Sequence, residues 1–313
     1  MVNQNEKNLA LAIASCSDVC TAISDQNHPC HKVVDWQAKQ HTPPITEVKG
    51  SKLHRPEPWT GDLATAKIMF LSSNPSFNLL ENFPNWNESN WPDEDISLFG
   101  AERFTTSEDR KFGATESRVV TNQDRTIGFS GERSSKVKHW IWVRRYASFV
   151  LGKKISDTSA ISDYVMTELV HCKSPHEDGV VEALSHCVDK WFGEIMKISP
   201  ASLIFVTGAK AAEGVAQIYG EKIPNDWGSF SSRVGKGRGL WPKNLKDLKD
   251  LFTSGQWDVQ AQKRNICTIQ INGISRMFVF IARNTPGGIP YTPWTSPNLV
   301  HDEILEIWRD QIS

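Results

Sequence analysis

Apolar and polar positions alternate in two periods along this chain. Lys67 to Ser73 is a short apolar run that stops at Asn74-Pro75, which predicts a buried strand ending in a loop. Tyr164 to Val170 and Ser202 to Val206 repeat that signature. Cys267 to Ile271, Asn272-Gly273 and Met277 to Ala282 read as a hairpin closed by an Asn-Gly turn. Between the strands the period lengthens to that of a helix. Val181, Leu184, Val188, Phe192, Ile195 and Met196 place one apolar face on a helix over 180–198. Further helices are predicted over 5–24, 137–151, 209–219 and 300–311. Strands alternating with helices predict an α/β fold, a sheet with helices on both faces.

The pattern fails in two places. Residues 78–134 are polar and aperiodic, acidic in their first half, and carry Phe83, Trp86 and Trp91 as a cluster expected to form a mini-core of its own. Residues 225–262 are loop-rich and basic. These read as insertions in one α/β domain over 61–313. Residues 1–60 form a helix and an extended, Pro- and His-rich segment packed on the core.

Length and composition narrow the classes. At about 150 residues per domain, 313 residues allow two domains or one with insertions. Thirty-five basic residues against 36 acidic ones exclude a broadly polybasic nucleic-acid binder, although not a local basic patch. Twelve Trp against four Tyr suggest stacking surfaces as well as core. No apolar run reaches the roughly 18 residues of a membrane span. Ile13-Ala14-Ser15-Cys16 resembles a lipoprotein cleavage box, but the apolar stretch before it is too short for a signal core. The expectation is a cytoplasmic, monomeric protein whose six cysteines are buried thiols or metal ligands.

In α/β sheets, ligands bind beyond the carboxyl ends of the strands. Three loops fall there. The first is Ser73-Asn74-Pro75-Ser76-Phe77. The second is Thr167-Glu168-Leu-Val-His171-Cys172-Lys-Ser-Pro175, with Cys187 fifteen residues after Cys172. The third is Arg283-Asn284-Thr285-Pro286-Gly287-Gly288. Together they resemble the uracil-DNA glycosylase superfamily. Strand-Asn74-Pro-Ser is similar to the strand-Gly-x-Asn-Pro-Gly motif of the mismatch-specific members. Thr167 to Cys172 resembles the Thr-Asn-x-x-Lys-Cys segment of the iron–sulfur members. The Pro-Gly-Gly loop is similar to the second motif, usually His-Pro-Ser or Asn-Pro-Ser. The likeness covers about residues 60–300 without the insertions.

The resemblance implies a three-layer αβα sandwich around a central, mostly parallel four-stranded sheet. It implies hydrolysis of the N-glycosidic bond of a flipped DNA base. Asn74 would position the water through its side-chain carbonyl, and Asn284 would donate to the leaving base. Phe77, Ser73 and Thr285 would line the base. Glu168 stands where many relatives place an Asn. An ionised carboxylate only accepts hydrogen bonds, so it suits the N4 amino group of cytosine and opposes O4 of uracil. The expected substrate is therefore a modified cytosine, including the hypermodified cytosines of phage DNA removed by some superfamily members in antiviral defence. Excision of uracil and an inactive DNA-binding relative stay open, since a protonated Glu168 could donate to O4.

DNA contact is expected at the glycine-interleaved Lys236 and Arg238, beside Trp241, and at Ser76, Gly287 and Gly288. Lys136, Lys138, Arg144 and Arg145 form a second basic group. By the same resemblance Cys16, Cys20, Cys172 and Cys187 would hold a structural [4Fe–4S] cluster, with Cys30 as an alternative ligand and a structural zinc as the alternative metal.

Overall fold

The computed structural model describes residues 2–79, 81–87, 91–104, 112, 119–120, 127–128, 137–220 and 266–281. The expected elements at 225–262 and 300–311 lie outside them, as does the Asn284 loop.

The chain is mixed α/β. Its main sheet holds β1 (Trp59–Thr60), β2 (Ile68–Ser72), β5 (Tyr164–Glu168), β6 (Leu203–Thr207), β7 (Ile266–Ile271) and β8 (Ile274–Ile281). A separate pair joins β3 (Val119–Val120) to β4 (Ile127–Gly128). The main sheet has six strands, not four, in the order β1-β5-β2-β6-β8-β7. The inner four, β5-β2-β6-β8, pair in parallel, and the two outer strands are antiparallel. The difference lies at the edges. Two residues of the Pro-rich segment pair with β5, and the hairpin carries its first arm outward as the far edge. Asn272 at φ 53° and Gly273 at φ 77° form the predicted turn, where both central residues need positive φ.

The inner strands are buried on both faces, as parallel strands must be. Ile68, Phe70, Tyr164, Met166, Leu203 and Phe205 pack on α5 (Lys138–Leu151) through Val143, Tyr146, Ala147 and Val150. The alternating residues Met69, Leu71, Val165, Ile204 and Val206 face the larger core. That core includes α1 (Gln4–Ala14), α2 (Asp18–Ala22), α3 (His31–Lys39), α6 (Val180–Cys187), α7 (Gly193–Ile198) and α8 (Ala209–Tyr219).

The N-terminal helix expected over 5–24 is two helices. A capping box between Asn3 and Glu6 starts α1. Ser15-Cys16-Ser17, poor helix formers, separate it from α2. The helix over 180–198 is present, but Val188–Phe192 is a π-helical turn between α6 and α7. Gly179 precedes α6 at φ 75°, and a Cβ there would lie 2.5 Å from the backbone nitrogen of Val33. Only glycine lets α6 approach α3 this closely. Within the expected loop 78–134, α4 (Asp93–Glu102) packs on α1 and β1. Phe83, Trp91, Ile96, Phe99 and Phe112 form the expected mini-core, while Trp86 joins the main one.

Candidate functional site

Beyond their paired ends, β2 and β5 stay joined by hydrogen bonds. Leu169 N donates to Ser72 O at 3.0 Å, Val170 N to Ser73 O at 2.9 Å, and Ser174 N to Pro75 O at 3.2 Å. This zipper sets the first loop against the second. Asn74 is buried between them. Its amide nitrogen donates to Pro75 O and Ser174 O, both at 3.0 Å, and lies 3.1 Å from Ser174 Oγ. Backbone carbonyls only accept, so the amide orientation is fixed and the Asn74 carbonyl is its remaining polar group. Ser73 Oγ donates to the Glu177 carboxylate, so its hydroxyl is already engaged. Glu177 sits at φ 61°, a strained position for a non-glycine residue. Phe77 packs edge-on to Trp36 at 5.4 Å and against His54 at 4.9 Å. Ser76 is exposed at the loop tip.

Behind these loops lies a buried ion network that the sequence did not announce. Arg103, at the end of α4, donates to Glu57 at 2.6 Å and to Glu81. Lys173 reaches Glu57 at 2.6 Å and Glu81 at 3.6 Å. Its ammonium also sits 3.6 Å from the centre of the Phe83 ring. All four side chains are under 10% exposed. Burial pushes the Glu57 carboxyl up, but the charges of Lys173 and Arg103 outweigh it and hold it at about 2. His171 exchanges bonds with the same residue. Its Nδ1 pairs with Glu57 O at 2.8 Å and its carbonyl accepts from Glu57 N at 2.8 Å. Burial lowers the His171 pKa to about 4, so the ring is neutral at pH 7.

Glu168 ends β5, in register with Ser72 at the root of the Asn74 loop. It is buried, and among the described residues its Oε2 has no hydrogen-bond partner. Desolvation first, then the Glu57 charge, push its carboxyl well above the usual range. The ionised acceptor expected at this position is thus a group that burial drives toward the neutral form.

On the other side of the second loop, four thiols from remote segments line one cavity. They are Cys16 between α1 and α2, Cys30 before α3, Cys172 after β5, and Cys187 at the end of α6. Pro56, His171, Val19 and Trp191 complete the wall. Cys20, half-buried on α2, does not line it, so Cys30 takes the place expected of Cys20. Four residues along a helix would put Cys16 and Cys20 on one face, but α1 stops before Cys16. Burial raises every one of these thiols, Cys30 and Cys187 to about 12, and for Cys30, Cys172 and Cys187 the neighbouring thiols add to it. Four thiolates are therefore stable here only around a cationic centre. The trio of donors drawn within 4.8 Å, close enough to share one ion among the described residues, is instead Asp18, His28 and His186 at the cavity mouth. Among the described residues no trio of these thiols is that compact. Lys190 bridges this mouth, 2.8 Å from Asp18 and 3.5 Å from Cys16 Sγ.

Of the remaining predicted residues, Asn284, Thr285, Gly287, Gly288, Lys236 and Arg238 lie outside the described residues. Arg144 is tied inward, donating to Thr158 O at 2.7 Å and Ser156 O at 3.3 Å, while Arg145 is exposed. No helix among the described residues is long and apolar enough to cross a membrane. No family model matches this chain, and no curated protein matches it.

Proposed function

We propose that this protein is a monofunctional DNA glycosylase that hydrolyses the N-glycosidic bond of a flipped-out pyrimidine of cytosine type, modified forms included. The observation that carries the reading is Asn74. Its amide nitrogen is locked by two backbone carbonyls, which turns its carbonyl oxygen over to a ligand at the carboxyl end of a central parallel strand. A carbonyl there holds and orients a water molecule without ionising. An Asn is too weak a base to deprotonate that water. The rate must then come from stabilising the departing base and the positive charge that grows on the sugar. In this reading the buried carboxyl of Glu168, at the end of the neighbouring strand, meets the edge of that base. Base flipping would deliver the nucleotide to these strand ends. The partner is DNA.

Cys16, Cys30, Cys172 and Cys187 would hold a [4Fe–4S] cluster. Such a cluster supplies a rigid cross-link between the N-terminal segment, the second loop and α6. That would fix Cys172 and, two residues on, Ser174, to which the Asn74 amide donates.

The test uses oligonucleotides holding uracil, cytosine, 5-hydroxymethylcytosine or its glucosylated form, assayed for alkali-labile sites. Cleavage is expected on the cytosine-type substrates. Asn74→Ala should lower the rate by about a hundredfold or more while leaving DNA binding intact. No cleavage of any of these bases overturns the reading.

A further inference from the structure

Three donors from remote parts of the chain meet at the mouth of the cysteine cavity. Asp18 opens α2, His28 lies in the segment before α3, and His186 is in the last turn of α6. One ligand atom from each lies within 4.8 Å of the other two. The His28 and His186 rings meet edge to face, with centres 5.4 Å apart. Asp18 and His186 also line the cavity, so the trio stands at its rim. All three residues are partly exposed, and an ion can reach them from solvent without opening the core. The bonds already present leave ligand capacity. Among the described residues the side-chain hydrogen bonds of Asp18 all end on Oδ2, from His186 Nε2 and Lys190 Nζ at 2.8 Å each and from Cys16 Sγ at 3.5 Å. That leaves Oδ1 over. The His28 ring accepts from Cys30 N at 3.1 Å on Nδ1, its one hydrogen bond among the described residues.

We propose that Asp18, His28 and His186 bind one divalent cation of the zinc class, at a site separate from the four thiols, which joins α2, the segment before α3 and the end of α6. It stands whether or not the chain cleaves DNA. Lys190 answers the Asp18 carboxylate, but an ammonium offers nothing to an imidazole that a metal ion does not offer better, and a divalent cation serves all three donors at once. Two imidazoles and a carboxylate suit zinc, cobalt or nickel, whereas magnesium and calcium take oxygen. Around an ion with bonds of about 2.0 Å, tetrahedral ligand atoms stand about 3.3 Å apart. The trio therefore has to close by about 1.5 Å at most, which partly exposed side chains can do by turning. Three protein ligands leave the fourth position to solvent. The Lys190 side chain is one-third exposed and is free to turn outward as the ion arrives.

The experiment dialyses the full-length protein against Co²⁺ alone and counts the metal bound per chain, in wild type, His28→Ala, Asp18→Asn and Cys30→Ser. The cysteine cavity could also take cobalt, so the spectrum of the bound ion is recorded with the count. Thiolate ligands give cobalt an intense near-ultraviolet charge-transfer band, while imidazole and carboxylate ligands give only weak visible ones. Wild type is expected to bind one Co²⁺ that adds no thiolate band. H28A and D18N should each weaken that binding by about a hundredfold or more, at least the cost of losing a supporting group around a metal. C30S, which removes a thiol of the cavity, should bind cobalt as wild type does. Two variants on different segments, each with its far-ultraviolet circular dichroism matched to wild type, separate loss of a ligand from loss of the fold. A wild type that binds no cobalt overturns the proposal. So does an affinity unchanged in H28A and D18N. A thiolate band that disappears together with the bound cobalt in C30S assigns the ion to the cysteines and overturns it as well.

Discussion

Cys20 and Cys30 illustrate what a single position decides. Both follow Cys16 in a Cys-rich N-terminal segment, but only Cys30 reaches the wall shared with Cys172 and Cys187. Close by, the missing side chain of Gly179 lets the start of α6, the helix that ends in Cys187, lie against the start of α3. Cys30→Ser should therefore abolish iron content and visible absorbance of anaerobically prepared protein, whereas Cys20→Ser should keep both. Equal loss in the two variants, or a colourless, iron-free wild type, would remove the cluster from the account. Lys173 shows the opposite case. A lysine in a loop reads as a surface charge, yet this one is 2% exposed and held by two carboxylates and an aromatic face. Glu57 and Arg103 were equally silent in the sequence, because a buried ion pair has no local spacing signal.

The strongest elements were legible, and those that were missed carried readable punctuation. The strands at 68–72, 164–168 and 203–207 and the Asn-Gly hairpin follow the apolar pattern closely. The helix α4 opens after Pro92 with Asp93, Glu94 and Asp95 in its first turn, where negative charge meets exposed backbone N–H groups. That start signal was hidden by the polarity of the surrounding sequence. The junction of α7 with β6 depends on a residue from a third element. Arg276 on β8 is fully buried without a carboxylate partner among the described residues. Its guanidinium donates to Ala201 O at 2.7 Å, Ser199 O at 2.8 Å and Met196 O at 2.9 Å. These are carbonyls of a helix C-terminus and the turn after it, where a cation is favoured. Arg276→Met should strand all three and cost about 3 kcal/mol, measured as a drop in urea-unfolding free energy with circular dichroism as the probe. A loss below about 1 kcal/mol would show the carbonyls finding water instead.

Across the whole molecule, buried titratable groups set opposing pH dependences. His171 is held near pKa 4 by burial, and burial also lowers His54 far below its usual 6.5. For both, the unfolded chain binds a proton below 6.5 that the native ring refuses, so stability is full above that pH and is lost as pH falls. Glu57, held near 2 by Lys173 and Arg103 against the cost of burial, adds a further loss below about 4.5. Glu168 runs the other way. Its native carboxyl keeps a proton that the unfolded chain releases above 4.5, so its contribution is lost as pH rises. Each proton is worth about 1.4 kcal/mol per pH unit. Two imidazoles outweigh one acid below 6.5, so the unfolding free energy should rise from pH 4 to pH 6.5 and stop rising above it, which urea titrations from pH 4 to pH 8 would test. A steady rise through pH 8 would contradict it.

The sequence by itself determined the inner strands and the helices between them, the turn chemistry and the placing of Asn74 and Glu168 at strand ends, because those follow from local periodicity and from backbone rules that act within a few residues. Tertiary structure alone decided the sheet's six-stranded extent, the exchange of Cys20 for Cys30, and the pairing of Arg103 and Lys173 with Glu57 and Glu81. It also decided that Glu168 is buried with an oxygen unbonded among the described residues. These join residues from distant parts of the chain, and the energy that selects them, desolvation against Coulomb attraction, exists only once the groups are enclosed together.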